Sequence, residues 1–219
     1  MNVPKVYNSK KSLLAQLETM AKAGDKDAIG LLADYRNGLV SVQDGTIRSI
    51  AQANAVTELS LFEPTSEKRE GIYSLSKSQL DKGIAFIVTG IALLAYQVTD
   101  GIGQAATPRV MNPRSDAEYA AMLEADRFGN IGAIPALCNG ELAIRINRKP
   151  NLDKLVTSVF NNATAVPGVA VGKLGFYALE NPIFIKPEVP IEATLRLANA
   201  TPGSTLVEIV FYGASTLAT

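Results

Sequence analysis

The sequence contains no histidine, no tryptophan, a single cysteine and only 6% aromatic residues. Histidine is the side chain that enzymes use most often for general acid–base catalysis, so its absence removes the most frequent catalytic arrangements. One cysteine excludes an intrachain disulfide framework and a multi-cysteine metal site. We therefore expect a protein that assembles or binds, not an enzyme, and we expect no cofactor and no metal ion.

The chain also lacks an excess of charge of either sign, because Lys+Arg and Asp+Glu both number 21. A neutral chain has no overall field that would attract nucleic acid or an anionic membrane, and it permits close self-association. We therefore expect no specific nucleic-acid recognition. The opening residues, MNVPKVYNSKK, contain no apolar stretch typical of signal peptides, so we also expect no signal peptide.

One uncharged, strongly apolar run, residues 83–98 (GIAFIVTGIALLAYQV), could suggest a membrane segment. It is 16 residues long, whereas a membrane-spanning helix needs about 20. The run is rich in β-branched residues and is interrupted by Gly90, which favours a buried strand or two strands bent at the glycine. A membrane-embedded helix is the alternative interpretation.

The first 54 residues differ from the rest in their periodicity. Residues 9–23 have a helical pattern that ends at Gly24, and Asp25 is placed to cap a second helix that ends before Gly38. An Asp44-Gly45 dipeptide then predicts a hairpin between residues 39–42 and 46–50. We predict a helical arm and linker over residues 1–54, with the apolar stripe Leu13, Leu17 and Met20 as candidate anchors to a neighbouring subunit.

After residue 55 the pattern is mainly β. Apolar residues alternate with polar ones from Ile191 to Leu197, as in a half-buried antiparallel strand, and the apolar segment LVEIVFY follows across a Pro-Gly turn. We predict a β domain over residues 55–219 that is interrupted by a helical insertion near residues 115–127. The predicted strands are residues 57–63, 84–98, 141–147, 154–160, 174–179, 182–186, 191–197 and 205–212.

Eight strands bordered by prolines favour an antiparallel β-sandwich, and eight is the number of strands in a jelly roll. The prolines stand at strand borders, where their missing N–H group disrupts no sheet ladder. The predicted fold class is therefore mainly β, an antiparallel jelly-roll β-sandwich with a helical N-terminal arm and one helical insertion.

The motifs that carry chemistry in other proteins lack their required context here. Residues 101–106 spell G-x-G-x-x-A, but Pro108 stands where the helix that binds the pyrophosphate should begin. The segment GVAVGK at residues 168–173 is one residue short of a phosphate loop. With no histidine to activate it, Cys138 is predicted to be a buried structural thiol.

One cluster of basic residues is retained as a candidate contact patch for phosphate, a lipid headgroup or a neighbouring subunit. Four charges without interleaved aromatic residues are a weak nucleic-acid footprint, and subunit salt bridges explain them as well. The patch comprises Arg145, Arg148, Lys149 and Lys154.

Two groups of segments stand at the two ends of the β region. The first group is LFEP at residues 61–64, KREGIYSL at 68–75 and LDKG at 80–83, which leads into FIVTGIALL. The second group is ENPIFIKPEVPIEATLRL at residues 180–197 and LVEIVFYG at 206–213. Together these segments resemble capsid proteins of tailless, membrane-containing icosahedral bacteriophages.

This resemblance implies a jelly-roll shell protein that self-assembles into trimeric or pseudo-hexameric capsomers. It implies a location in the virion, and in the host cytoplasm during assembly, with neighbouring capsid subunits as partners and an internal membrane or minor capsid proteins as further candidates. Major capsid proteins of this lineage usually carry two fused jelly rolls. Because this chain is short, we predict a single jelly roll and keep a compact double jelly roll, with a minimal barrel in residues 39–115, as the alternative.

Two other classes of function stay open. A ligand- or glycan-binding β-sandwich would use the loops at residues 101–114 and 161–172. A membrane-associated structural protein would use residues 83–98.

Overall fold

The computed structural model describes residues 9–53, 55–62, 67–68, 73–97, 129–161, 175–202 and 205–218. Within them the chain is mainly β, and its strands form two antiparallel sheets that face each other across a shared core. The predicted antiparallel β-sandwich is therefore confirmed. The helical insertion predicted near residues 115–127 and the rejected motifs at 101–106 and 168–173 lie outside the described residues.

Both predicted N-terminal helices are confirmed. Helix α1 is Ser9–Lys22 and helix α2 is Lys26–Arg36. Asp25 caps α2, because its carboxylate accepts a hydrogen bond from the amide of Ala28 at 3.1 Å. A short helix, α3, covers Pro135–Cys138, and single 3₁₀ turns cover Ile131–Ala133 and Thr157–Phe160.

The sandwich contains nine strands in the described residues. They are β1 (Val40–Ala53), β2 (Glu58–Ser60), β3 (Phe86–Gln97), β4 (Gly129–Asn130), β5 (Gly140–Ile146), β6 (Lys149–Val156), β7 (Phe176–Ile185), β8 (Ile191–Leu197) and β9 (Thr205–Ala218). The first sheet has the order β1-β9-β3, and β7 and the two-residue β4 both pair with the other side of β3. The second sheet has the order β2-β8-β5-β6.

The predicted hairpin at Asp44-Gly45 is wrong. Residues 40–53 form one continuous strand that pairs with β9 along its whole length, from Val40 opposite Ala218 to Ala53 opposite Thr205. Cross-strand pairing over this length outweighs the local turn preference of an Asp-Gly dipeptide. Residues that the sequence assigns to the linker therefore lie within the first sheet.

Residues 86–97 of the apolar run form a strand and not a helix, as the β-branched content of the run predicts. Strand β3 lies inside the first sheet, and its register shifts between Val88 and Gly90, where the bend was expected. Other strand limits differ from the prediction. Strand β6 begins at Lys149 and ends where the 3₁₀ turn begins, and the two strands predicted between residues 174 and 186 are one strand, β7.

The core lies between the inner faces of the two sheets. The alternation predicted for β8 is confirmed, because Ile191, Ala193, Leu195 and Leu197 are buried and point inward. Strand β9 behaves differently, since all six residues from Leu206 to Phe211 are buried, on both faces of the first sheet. The largest fully buried side chains include Phe86, Phe160 and Phe211.

Two glycines that lie opposite each other in the β1–β9 register, Gly45 and Gly213, have different amounts of space. A Cβ added to Gly213 would lie 1.7 Å from the carbonyl oxygen of Ile87 on β3, whereas a Cβ on Gly45 would meet only ordinary contacts, the nearest at 3.5 Å. The close approach of β9 to β3 beside the bulge therefore requires glycine at residue 213.

We predict that Gly213→Ala lowers the free energy of unfolding by at least about 2 kcal/mol, because the backbone of β3 or β9 must move to admit the methyl group. The matched control is Gly45→Ala, which should cost far less because it adds the same methyl group where it makes only ordinary van der Waals contacts. Urea unfolding of both variants measures the difference. Equal decreases in the free energy of unfolding in the two variants would show that the spacing of β9 and β3 does not depend on Gly213.

Candidate functional site

The predicted arm anchors are buried against the chain's own sheet. Leu13 and Leu17 on α1 are 0% and 1% exposed, and Met20 packs partly buried against the same cluster. This cluster, the helix–sheet cluster, also contains residues of α2 and of the outer face of the first sheet. Its buried members are Leu13, Leu17, Ala28, Leu31, Leu32, Ala85, Ile87 and Ala214. The leucines therefore fasten the helices to this chain and are not exposed for a neighbouring subunit, which corrects our expectation for them.

Polar contacts hold the same helices in place. The ammonium group of Lys186, just after β7, pairs with the carboxylate of Asp25, and this contact lowers the pKa of that carboxyl. The hydroxyl groups of Ser9 and Thr89 lie 3.1 Å apart, which joins the start of α1 to β3. Asp25 thus caps α2 and also links it to the sandwich.

The four residues of the candidate basic patch are all exposed but do not form a single cluster. Asn147 and Arg148 have φ values of 53° and 62°, typical of a two-residue hairpin turn between β5 and β6, and Arg148 and Lys149 lie at its tip. Arg145 lies on the outer face of the second sheet, and Lys154 lies farther along the edge strand β6. Within the described residues none of these four cations forms an ion pair or a side-chain hydrogen bond.

The outer face of the second sheet is polar and accessible to solvent. Its side chains on β2, β8 and β5 are exposed or half-buried, in contrast to the buried residues that alternate with them. We call this surface the open face. It comprises Glu58, Ser60, Glu141, Ala143, Arg145, Glu192, Thr194 and Arg196.

The strand register arranges the open face in three rows that run across the strands. The two outer rows carry charges of both signs and the middle row carries small side chains. The rows are Glu58, Arg196 and Glu141; Ser60, Thr194 and Ala143; and Glu192 and Arg145.

Opposite charges are direct neighbours within the outer rows, but few of them are paired. Arg196 Nε lies 3.6 Å from Glu58 Oε1, and both side chains are more than 60% exposed, so this pair contributes little to stability. Arg145, Glu141 and Glu192 form no ion pair in the described residues. Their charges are therefore free to interact with another molecule.

The first sheet has a buried polar group on its outer side. Glu208 on β9 is 3% exposed, and its Oε1 atom lies 2.5 Å from Nε of Arg48 on β1, although this contact lacks hydrogen-bond geometry. Burial raises the pKa of the Glu208 carboxyl, and the Arg48 guanidinium offsets only part of that increase. Burial and the nearby Glu208 carboxylate also raise the pKa of Tyr212.

Sequence reasoning did not identify Glu208, because a glutamate within LVEIVFY is compatible with the wet face of an alternating strand. It also did not identify Glu141, Glu192 and Arg196 as a set with Arg145, because the strand pairing that brings them together cannot be read from the chain. The one available signal was the alternation itself, which places all four outward on their own strands.

Cys138 is partly buried at the end of α3, and its thiol donates a hydrogen bond to the carbonyl of Ile131 at 3.6 Å. Burial raises the pKa of this thiol, which disfavours the reactive thiolate. Cys138 borders a shallow groove of about 510 Å³ that Glu141, Ser158 and Arg196 also line. In the described residues no group of three or more Cys, Asp or Glu side chains is placed to hold a metal ion.

We predict that Leu17→Ala lowers the free energy of unfolding by about 2–4 kcal/mol, because it opens a cavity where α1 meets the first sheet. The control is Glu18→Ala, which changes an exposed neighbour on the same helix and should shift stability by less than about 0.5 kcal/mol. Thermal and urea unfolding measure both. A neutral Leu17→Ala would mean that α1 is not fastened to the sandwich in solution.

We predict that titration of Glu208 makes the free energy of unfolding depend on pH, and that Glu208→Gln removes this dependence. Because the folded-state pKa of Glu208 is raised, its stabilising contribution is present at low pH and is lost as the pH rises through that pKa. The free energy of unfolding of the wild type, minus that of Glu208→Gln, should therefore fall as the pH rises above the ordinary carboxyl pKa of about 4.5. Glu58→Gln, which removes an exposed carboxylate, is the control. A difference that rises with pH would contradict the assignment.

No described helix has both the length and the apolar composition needed to cross a membrane. Searches against protein-family models, curated proteins and solved structures find no match to this chain. The functional proposal for this protein therefore depends on its own fold and surfaces.

Proposed function

We propose that this protein is a structural virion protein, a capsid shell subunit built on a single jelly roll. The observation that carries the proposal is the strand order. When the two-residue β4 is left aside and the eight longer strands are numbered along the chain, the sheets have the orders 1-8-3-6 and 2-7-4-5. This alternation of strands between the two sheets is what we expect of a jelly roll and supports that fold, which is found in viral capsid and lectin domains.

The pairing of distant strands supports one jelly roll over a compact double one. Strands β1 and β3 both pair with β9, so residues 40–53 and 86–97 share a sheet with the last described strand. In a double jelly roll, each half of the chain would close on its own strands. The long pairing of β1 with β9, from Val40 to Ala53, favours a single closed unit.

The surfaces of the sandwich suit a protein that is packed beside copies of itself. Two sheets with a common apolar core form a rigid block, and a rigid block loses less conformational entropy at each contact than a flexible chain does. The formal net charge is zero, so many copies can approach without long-range repulsion. We infer that the partners are further copies, in trimeric or pseudo-hexameric capsomers of an icosahedral phage shell.

The proposal predicts that the purified protein forms trimers, hexameric tiles or closed shells. Light scattering after size exclusion gives the mass of the assemblies, and negative-stain electron microscopy gives their shape. The control is Gly213→Ala, which destabilises the sandwich and should reduce the assemblies in proportion to the folded protein that is lost, because assembly requires the intact sandwich. A monodisperse monomer over a wide range of concentration and salt would contradict the shell function, and a monomer that binds glycans on an array would favour the binding-module alternative.

A further inference from the structure

The two outer surfaces of the sandwich differ in what covers them. On the first sheet the outward residues Ile50, Leu206, Glu208 and Val210 are at most 4% exposed. On the second sheet the outward residues of the open face are exposed or half-buried. The open face is therefore the broad sheet surface that this chain leaves in contact with solvent, among the residues that the structure describes.

The open face is an unusual combination of small and charged side chains. Its middle row, Ser60, Thr194 and Ala143, would let another surface approach closely. Its outer rows place Arg196 beside Glu141 on one side and Glu192 beside Arg145 on the other. Charges of the two signs thus occupy alternate corners of a rectangle centred on the small residues.

We propose that the open face binds the open face of a second copy of this chain, around a two-fold axis that lies in the plane of the sheet. The corner arrangement is complementary to itself under such a rotation. An axis that crosses the strands at the middle row places Glu141 over the partner's Arg145 and Arg196 over the partner's Glu192. An axis that runs along the strands, between β8 and β5, places Arg196 over the partner's Glu141 and Glu192 over the partner's Arg145.

Other occupants fit the charge pattern less well. A polyanion such as nucleic acid or an anionic lipid surface would meet the carboxylates of Glu58, Glu141 and Glu192 as well as the two arginines. An apolar partner would bury Glu141, Glu192 and Arg145, which form no ion pair in the described part of the chain, at a high desolvation cost. A second copy supplies an opposite charge for each of the four corner residues.

The size of the open face predicts a weak contact. Seven residues on β5 and on β8 span about 23 Å at 3.3 Å each, and three strands spaced about 4.8 Å apart give a footprint of at most roughly 330 Å² per copy. This is less than half of the roughly 800 Å² per partner of a standard stable interface. We therefore expect a reversible dimer that depends on ionic strength, because exposed ion pairs are screened by salt.

The contact goes beyond the proposed shell function and can be tested separately from it. A dimer that never assembles further would support the contact and count against the shell. Larger assemblies that substitutions in the open face leave unchanged would support the shell function and count against the two-fold contact.

The test uses sedimentation velocity of the purified full chain at low and high salt. We expect wild-type dimers that weaken as salt increases, and we expect Arg145→Glu to weaken dimerisation by about tenfold or more, because it places like charges over each other. The matched control is Lys149→Glu, which makes the same change of charge at the exposed hairpin tip, outside the open face, and should leave the dimer intact. A second variant, Ala143→Lys, should block the contact by filling its centre.

A charge exchange distinguishes the two axes. Arg145→Glu combined with Glu141→Arg should restore the dimer if the axis crosses the strands, and Arg145→Glu combined with Glu192→Arg should restore it if the axis runs along them. Circular dichroism identifies the variants that fold. A wild type that stays monomeric at low salt, equal losses in Arg145→Glu and Lys149→Glu, or dimers that both Arg145→Glu and Ala143→Lys leave intact would overturn the proposal.

Discussion

The rest of the structure depends on the pairing of β9 with strands that lie far away in the chain. Strand β9 pairs with β1 over 14 residue pairs and also lies beside β3, so the C-terminal residues form the centre of the first sheet. Helix α1 packs on this sheet through Ala214 of β9 and Ile87 of β3. The first sheet, and the surface on which the helices pack, can form completely only after β9 has paired with β1 and β3. Such non-local pairing is typical of slowly folding β proteins.

This central position explains why β9 does not have the alternating pattern of an ordinary half-buried strand. One side of β9 contributes Val207, Ile209 and Phe211 to the core between the sheets. The other side is buried as well, and there Glu208 lies near Arg48. Burial disfavours the charged form of this carboxyl, which is why its pKa is raised. The two sheets therefore differ: along β9 the first is buried on both faces, whereas the second exposes polar side chains on its outer face.

The sequence predicts the elements whose signals are local. The alternation from Ile191 to Leu197 and the Asp25 cap each identify an element from a few adjacent residues, and both are observed. The continuous β1 could not be predicted, because only its pairing with β9 overrides the turn preference of Asp44-Gly45. The open face could not be predicted for the same reason: Glu141 and Arg196 are 55 positions apart, and only the β5–β8 register brings them together.

The neutral composition has a different meaning once the register is known. A net charge of zero is compatible with a surface that lacks strong fields, and the sequence alone supports no more than that. The open face instead concentrates charges of both signs at fixed positions around small side chains, so its neutrality is the sum of opposed local charges. Such a surface attracts only a partner with the inverse arrangement, and its own rotated copy has that arrangement. Weak contacts of this kind become strong when a subunit makes several of them at once, which links the two-fold contact to the larger assemblies proposed for this sandwich.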